Sequence, residues 1–198
     1  MRLCLRVPSD EDVRGFLREV EGTPFSYAEV GATRDLIRPA GFLNYDHNRV
    51  ELGRGAATWE RAKNAIRTWK MFDPALTQIF WTNTPLIVGK DIGVVAHHLG
   101  FHSLNATRIV YVIDEPLRFG FAYGTLQQHA ESGEERFLVE WDEATDVVTY
   151  DLYAFSRPRA LMAKLGAPYA RKLQKEFAVL SKAAMFRACQ DAVDFKRN

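Results

Sequence analysis

The chain has 198 residues, 47% of them hydrophobic and 26% charged, which fits a folded domain with a substantial core and excludes a disordered segment. A formal net charge of +1 excludes a general attraction to nucleic acid or to an anionic membrane. No apolar run approaches the roughly 18–20 residues needed to span a bilayer.

Residues 9–20 read as a helix, with Ser9 as cap, Asp12 as its capping-box partner, and Val13, Phe16, Leu17 and Val20 at helical spacing. Residues 41–55 are rich in glycine and polar side chains and read mostly as loop, with a short strand at 49–52. Gly53-Arg54-Gly55 reads as a helix entry rather than a phosphate-binding turn, because the preceding strand and the lysine of such a turn are missing. Residues 58–72 predict a second helix, with Trp59, Ala62, Ile66, Trp69 and Phe72 on one face, stopped by Asp73-Pro74. Strands follow at 87–96, 107–113, 119–126, 135–141 and 147–155, each rich in β-branched and aromatic residues. In the third, Gly120, Ala122 and Gly124 leave one face bare, which permits close approach of another element or a ligand. Pro168 opens a final helix whose apolar stripe is Tyr169, Leu173, Phe177, Leu180, Ala184 and Ala188, with Arg171, Lys175 and Lys182 opposite, toward water.

Several segments recur together in one known family. They are Tyr123-Gly124-Thr125, His129, Gly133-Glu134-Glu135-Arg136-Phe137 and Phe155-Ser156-Arg157-Pro158, preceded by Tyr27-Ala28-Glu29-Val30-Gly31, Leu52-Gly53-Arg54-Gly55, Trp69 and Arg108-Ile109-Val110-Tyr111-Val112. From about residue 25 to about residue 186 the chain resembles the family known as domain of unknown function number nineteen-ninety. The order of elements is similar to the helix-grip fold of the START and Bet v 1-like superfamily. The resemblance implies an α+β fold, a curved antiparallel sheet wrapped around a long C-terminal helix with helices at the N-terminal end. It also implies a cavity between sheet and helix for an apolar or amphipathic ligand. The rival architecture is an α+β sandwich with a filled core. The expected organisation is a single domain over residues 1–198, with 1–24 as an N-terminal helical segment and 25–198 as the family domain.

The polar residues on predicted strands supply the candidate ligand-binding set: Arg108, Tyr111, Tyr123, Thr125, His129 and Glu134, with Glu29. An arginine within an apolar strand requires a carboxylate, and Glu29, Glu134 and Glu135 are candidates. Arg108 and Glu134 are expected to meet in the interior with Tyr123 close by. Trp69, Phe121, Leu173 and Phe177 are the candidate cavity lining. Three functions remain open: a binding protein for a small apolar or amphipathic ligand; an enzyme (hydrolase, cyclase or isomerase) using Tyr123, His129, Glu134 or Arg108 for proton transfer; and an interaction module with a full core. His97, His98 and His102 lack the spacing and carboxylate of a metal set, so neither metal nor cofactor is expected. Cys4 and Cys189 read as free thiols of a reducing compartment, and residues 1–10 lack the apolar stretch of a secretory signal, so a cytoplasmic protein is expected.

Overall fold

The structure, a computed structural model, describes residues 1–159 and 167–190. Among the described residues eight strands form one antiparallel sheet: β1 Arg2–Cys4, β2 Asn44–Arg54, β3 Thr77–Phe80, β4 Asp91–His97, β5 His102–Glu115, β6 Arg118–Thr125, β7 Glu131–Asp142 and β8 Val147–Pro158. The order across the sheet is β2-β8-β7-β6-β5-β4-β3, and β1 pairs with β5. Bulges at Glu51/Gly53 in β2 and Ile109/Tyr111 in β5 bend the strands. The sheet curls, and its concave face holds helix α2 (Gly55–Arg67) and the long helix α3 (Ala167–Cys189). This is the helix-grip arrangement, an α+β fold of the expected class. No helix among the described residues is long and apolar enough to cross a membrane.

The opposite, convex face is covered by the part of the chain that precedes β2. Helix α1 (Asp10–Val20) begins with the expected capping box: the Asp12 amide donates to Ser9 Oγ at 3.2 Å, and the Ser9 amide donates to the Asp12 carboxylate at 2.9 Å. Its Val13, Phe16 and Val20 pack on Val95, Leu104, Ala106 and Leu126. Residues 25–37, including a short 3-10 turn at Ala32–Asp35, lie on the convex side of β6, β7 and β8. The bare strip of β6 serves this contact. A Cβ on Gly124 would lie 2.0 Å from the Tyr27 hydroxyl, so glycine there makes room for Tyr27.

Three expectations about the elements need correction. The segment at 41–55 is largely strand, because β2 pairs along its length with β8. Polar residues occupy both faces of that strand, so the alternation that marks a half-buried strand is absent. Helix α2 starts at Gly55 (φ 78°) and stops at Arg67, five residues before the expected end. Trp69 terminates it in a left-handed conformation at φ 56°. The Trp69 amide donates to Ile66 O and the Lys70 amide to Ala65 O, the pairing normally given to a glycine stop. A bulky residue tolerates that backbone because its side chain is anchored: Trp69 is 1% exposed, its Nε1 donates to Thr84 O at 2.9 Å, and its ring meets Phe121 edge-on. In α3 the buried stripe is Ala178, Ser181, Met185 and Cys189, rotated by one residue from the expected one. Ser181 fits it because its hydroxyl bonds the buried Tyr150 hydroxyl at 2.8 Å. Leu173 and Phe177 flank this stripe half-buried, with the Phe177 ring against Phe72. Lys175 is exposed as expected, whereas Arg171 and Lys182 turn inward to Asp46 and Asn48.

Trp69→Ala is expected to destabilise the fold by about 3–5 kcal/mol, the range for a large buried aromatic. Phe177→Ala should cost clearly less because that ring is half-buried. Denaturant melts of the two variants give the comparison, and equal losses would refute the anchoring role of Trp69.

Candidate ligand-binding site

Strand parity divides the candidate residues between the two faces. Phe119, Phe121 and Tyr123 of β6 and Phe137 and Val139 of β7 belong to the concave core. Glu135 shares their face, two positions before Phe137 and opposite Tyr123 in the register. Glu134 therefore points to the convex side, as do Arg108, opposite Gly124, and Tyr111, opposite Ala122. The bulge at Val110 puts Arg108 and Tyr111 on one face although their numbers differ in parity.

The expected Arg108–Glu134 pair does not form. Arg108 makes a two-pronged contact with Asp91, Nε to Oδ1 at 2.6 Å and Nη2 to Oδ2 at 3.1 Å, and donates to Thr23 O. Asp91 is its register partner on β4, so the nearest carboxylate lies directly across the strand pair. Glu134 receives Tyr27 Oη and the Gly31 amide, each at 2.7 Å, the Thr33 amide at 3.0 Å, and the Thr33 hydroxyl. Thr33 also bonds Tyr111 Oη at 2.7 Å. Burial raises the Tyr27 and Tyr111 phenols above their ordinary range, with the Glu134 charge adding to both. Glu29 is exposed and caps its neighbouring amide at Ala28. Thr125 bonds Ser26 Oγ and the Gly133 backbone, closing the end of the β6–β7 pair. His129 lies in the loop after β6, and its Nδ1 accepts from the Glu131 amide at 3.0 Å. Burial and the nearby N-terminal amine depress His129 to about 3, which leaves it neutral and unsuited to shuttle protons near pH 7.

Of the candidate polar set, Tyr123 faces the grip. Its hydroxyl donates to Glu135 Oε2 at 2.8 Å. Burial pushes the Glu135 carboxyl up to about 7, opposed by the Tyr123 bond and reinforced by the charges of Asp46 and Glu131. The Tyr123 phenol is raised well above its ordinary value, first by burial. Beyond Glu135, toward the start of α3, a polar chain bridges helix and sheet. Arg171 Nη2 donates to Asp46 Oδ1 at 2.6 Å and its Nη1 to Gln174; Gln174 Nε2 donates to Glu131 at 2.6 Å and to Ser156 Oγ at 3.0 Å. Thr77 Oγ1, Asn105 Oδ1 and Thr107 Oγ1 are buried without a protein partner, on concave-facing positions of β3 and β5. Glu131, Asp46 and Arg171 were not singled out as site residues by the sequence reading, and Glu135 was named only as a possible partner of Arg108, although the β7 alternation through Phe137, Val139 and Trp141 already assigns it to the apolar side. Among the described residues no group of three or more His, Cys, Asp and Glu side chains converges to hold a metal ion; His97 and His102 bond each other through Nδ1.

Because the folded Glu135 carboxyl keeps its proton above the ordinary value of 4.5, the folded protein binds more protons than the unfolded chain between about 4.5 and about 7. Stability contributed by this group therefore falls as pH rises through that window. Glu135→Gln should flatten the fall, so denaturant midpoints at about pH 5 and about pH 8 should lie closer together in the variant than in the parent. Identical pH dependence in both proteins would show that the carboxyl ionises freely.

The model of the family described as Domain of unknown function (DUF1990) matches residues 26–184. A UPF0548 protein of Dictyostelium discoideum is 32% identical, over 93% of this chain and 94% of its own. Another from Deinococcus radiodurans is 36% identical over 88% and 92%. The crystal structure of hypothetical protein jhp0584 from Helicobacter pylori superposes with a TM-score of 0.57 at 11% identity, covering 84% of this chain and 96% of that one, a likeness of fold alone. With a family model spanning most of the sequence and relatives matched almost end to end, this chain belongs to the DUF1990 family, whose relatives are named UPF0548 proteins.

Proposed function

We propose that the protein binds a small amphipathic molecule between the concave face of the sheet and the first half of α3. The observation that carries this reading is Glu135. Its carboxyl is set deep enough for burial to raise it, yet its side chain keeps accessible surface. A carboxyl raised by burial that still keeps accessible surface supports a space for a ligand beside Glu135. The unpartnered Thr77, Asn105 and Thr107 atoms support the same reading. A buried polar atom without a bond costs about 1–3 kcal/mol, and native proteins carry few of them. A ligand that bonds these atoms removes that cost. Its apolar body would lie against Phe72 and Phe177, with Phe137 packed behind them, and its polar end would meet the Tyr123–Glu135 pair. Trp69 and Phe121 back this wall, and Leu173 stands at its helical side. Two cysteines outside any disulfide fit the reducing cytoplasm.

A second reading, an enzyme in the same space, is favoured by one observation. A carboxyl pushed up to about 7 beside a tyrosine suits transfer of a proton at neutral pH. Glu135→Gln separates the readings: binding that survives with turnover abolished marks an enzyme, whereas a binding protein has no turnover to lose.

The binding reading is tested by thermal shift with a panel of long-chain fatty acids, fatty amines and aromatic acids. At least one class should raise Tm with increasing concentration. Thr107→Val should leave the free protein as stable or more stable, because a lone buried hydroxyl is replaced by a methyl of similar shape. The same change should weaken binding of whichever class responds. A silent panel, together with native mass spectrometry showing no retained small molecule, would refute the reading.

A further inference from the structure

On the convex face, away from the grip, a pocket of about 290 Å³ opens to solvent beside the 3-10 turn. Arg136 on β7 lines it at 3% exposure, with Arg49, Arg118 and Arg34 around it. We propose that this pocket binds a small oxyanion, the phosphate or carboxylate group of a soluble ligand.

What the pocket prefers follows from what each charged group has left to give. Asp151 is 1% exposed and its oxygens are already taken. Oδ1 receives Arg136 Nη2 at 2.6 Å, and Oδ2 lies 2.7 Å from His47 Nε2 and 3.4 Å from Arg49 Nε. Glu140 is shared in the same way, Oε2 with Arg49 at 2.9 Å and Oε1 with Arg118 at 3.3 Å. The unspent capacity is on the donor side. Arg136 uses Nη1 on Arg34 O at 3.1 Å and Nη2 on Asp151, and its Nε–H, buried, has no partner. Arg34 makes no ion pair among the described residues, and its guanidinium lies over the Tyr111 ring at 4.9 Å, which fixes the fork while leaving its N–H edges available. A buried guanidinium with an unmet donor, beside a second guanidinium held in place without a carboxylate, matches the planar fork that oxyanions fill. The volume lies at the small end for ligand pockets, which suits a single anionic group. Asp35 at the rim opposes an anion and provides an internal control.

The test is a titration of the arginine Nε–H resonances of 15N-labelled protein with sodium phosphate and with sodium acetate, against sodium chloride at matched ionic strength. Saturable shifts at Arg136 and Arg34 are expected with phosphate, acetate or both, and the stronger of the two identifies the group. Arg34→Gln should weaken that binding about tenfold, the value of one charge-assisted bond. Asp35→Asn should strengthen it. Both side chains are exposed, so both variants should fold, which circular dichroism checks. Shifts that chloride reproduces, an absence of saturation with either anion, or binding untouched by Arg34→Gln would each overturn the proposal.

Discussion

Glu134 is 2% exposed, and a carboxylate at that depth is tolerable only because four donors from one short stretch of chain converge on it. The Tyr27 hydroxyl and the Gly31 and Thr33 amides donate to Glu134, and the Thr33 hydroxyl bonds both Glu134 and Tyr111. Fixing them fixes residues 25–37 against the sheet. The convex side of β6 is bare at Gly120, Ala122 and Gly124, and the Tyr27 hydroxyl occupies the space that a side chain at Gly124 would fill. Carboxylate and glycine thus depend on each other: without the gap Tyr27 cannot reach Glu134, and without Glu134 the gap is an uncovered strip of backbone. From this anchor the 3-10 turn delivers the Arg34 carbonyl to Arg136 and the Thr33 hydroxyl to Tyr111.

The neighbouring carboxylate does the opposite work. Glu135 is one residue along β7, and the pleat turns it to the concave face among aromatic rings. One hydroxyl donates to it instead of four groups, and burial raises it to about 7. A heavily bonded carboxylate holds structure together. A carboxylate left short of donors keeps hydrogen-bonding capacity for something else and lowers stability at neutral pH. Adjacent acidic residues of one motif therefore serve the fold and the candidate site separately.

What the sequence reveals of this depends on how local the determining contact is. The capping box of Ser9 and Asp12 spans three residues and is legible directly. The curled sheet and closing helix follow from element order and the family resemblance. The parity of β7 is legible as well, and applied to Glu134 and Glu135 it separates the two faces. The partner of Arg108 is not legible, because the choice of Asp91 over Glu134 depends on which strand lies beside β5 and in what register. The bulge at Val110 adds a shift that no alternation announces. The early end of α2 was hidden for another reason. A tryptophan occupies the left-handed position, and its tolerance there comes from tertiary contacts with Thr84 and Phe121. The inward face of α3 was displaced by a serine whose polarity is cancelled by a tyrosine on β8.

The two halves of α3 are held by different forces. Its second half is packed: Ala178, Met185 and Cys189 are buried in the main core, and Ser181 is locked to Tyr150. Its first half is half-buried and polar, with Arg171 and Gln174 reaching across to Asp46, Glu131 and Ser156. Bridges of long side chains span a separation that direct apolar packing would close. Glu131 lies on the same face of β7 as Glu135, four residues nearer that end, and burial raises its carboxyl too. On the binding reading, a ligand enters past the Arg171–Gln174–Glu131 bridge and reaches the Tyr123–Glu135 pair behind it, while the packed half of the helix closes the far side. The bridge then acts on access and the pair on recognition, so changes at Gln174 and at Glu135 should alter different steps of the same association.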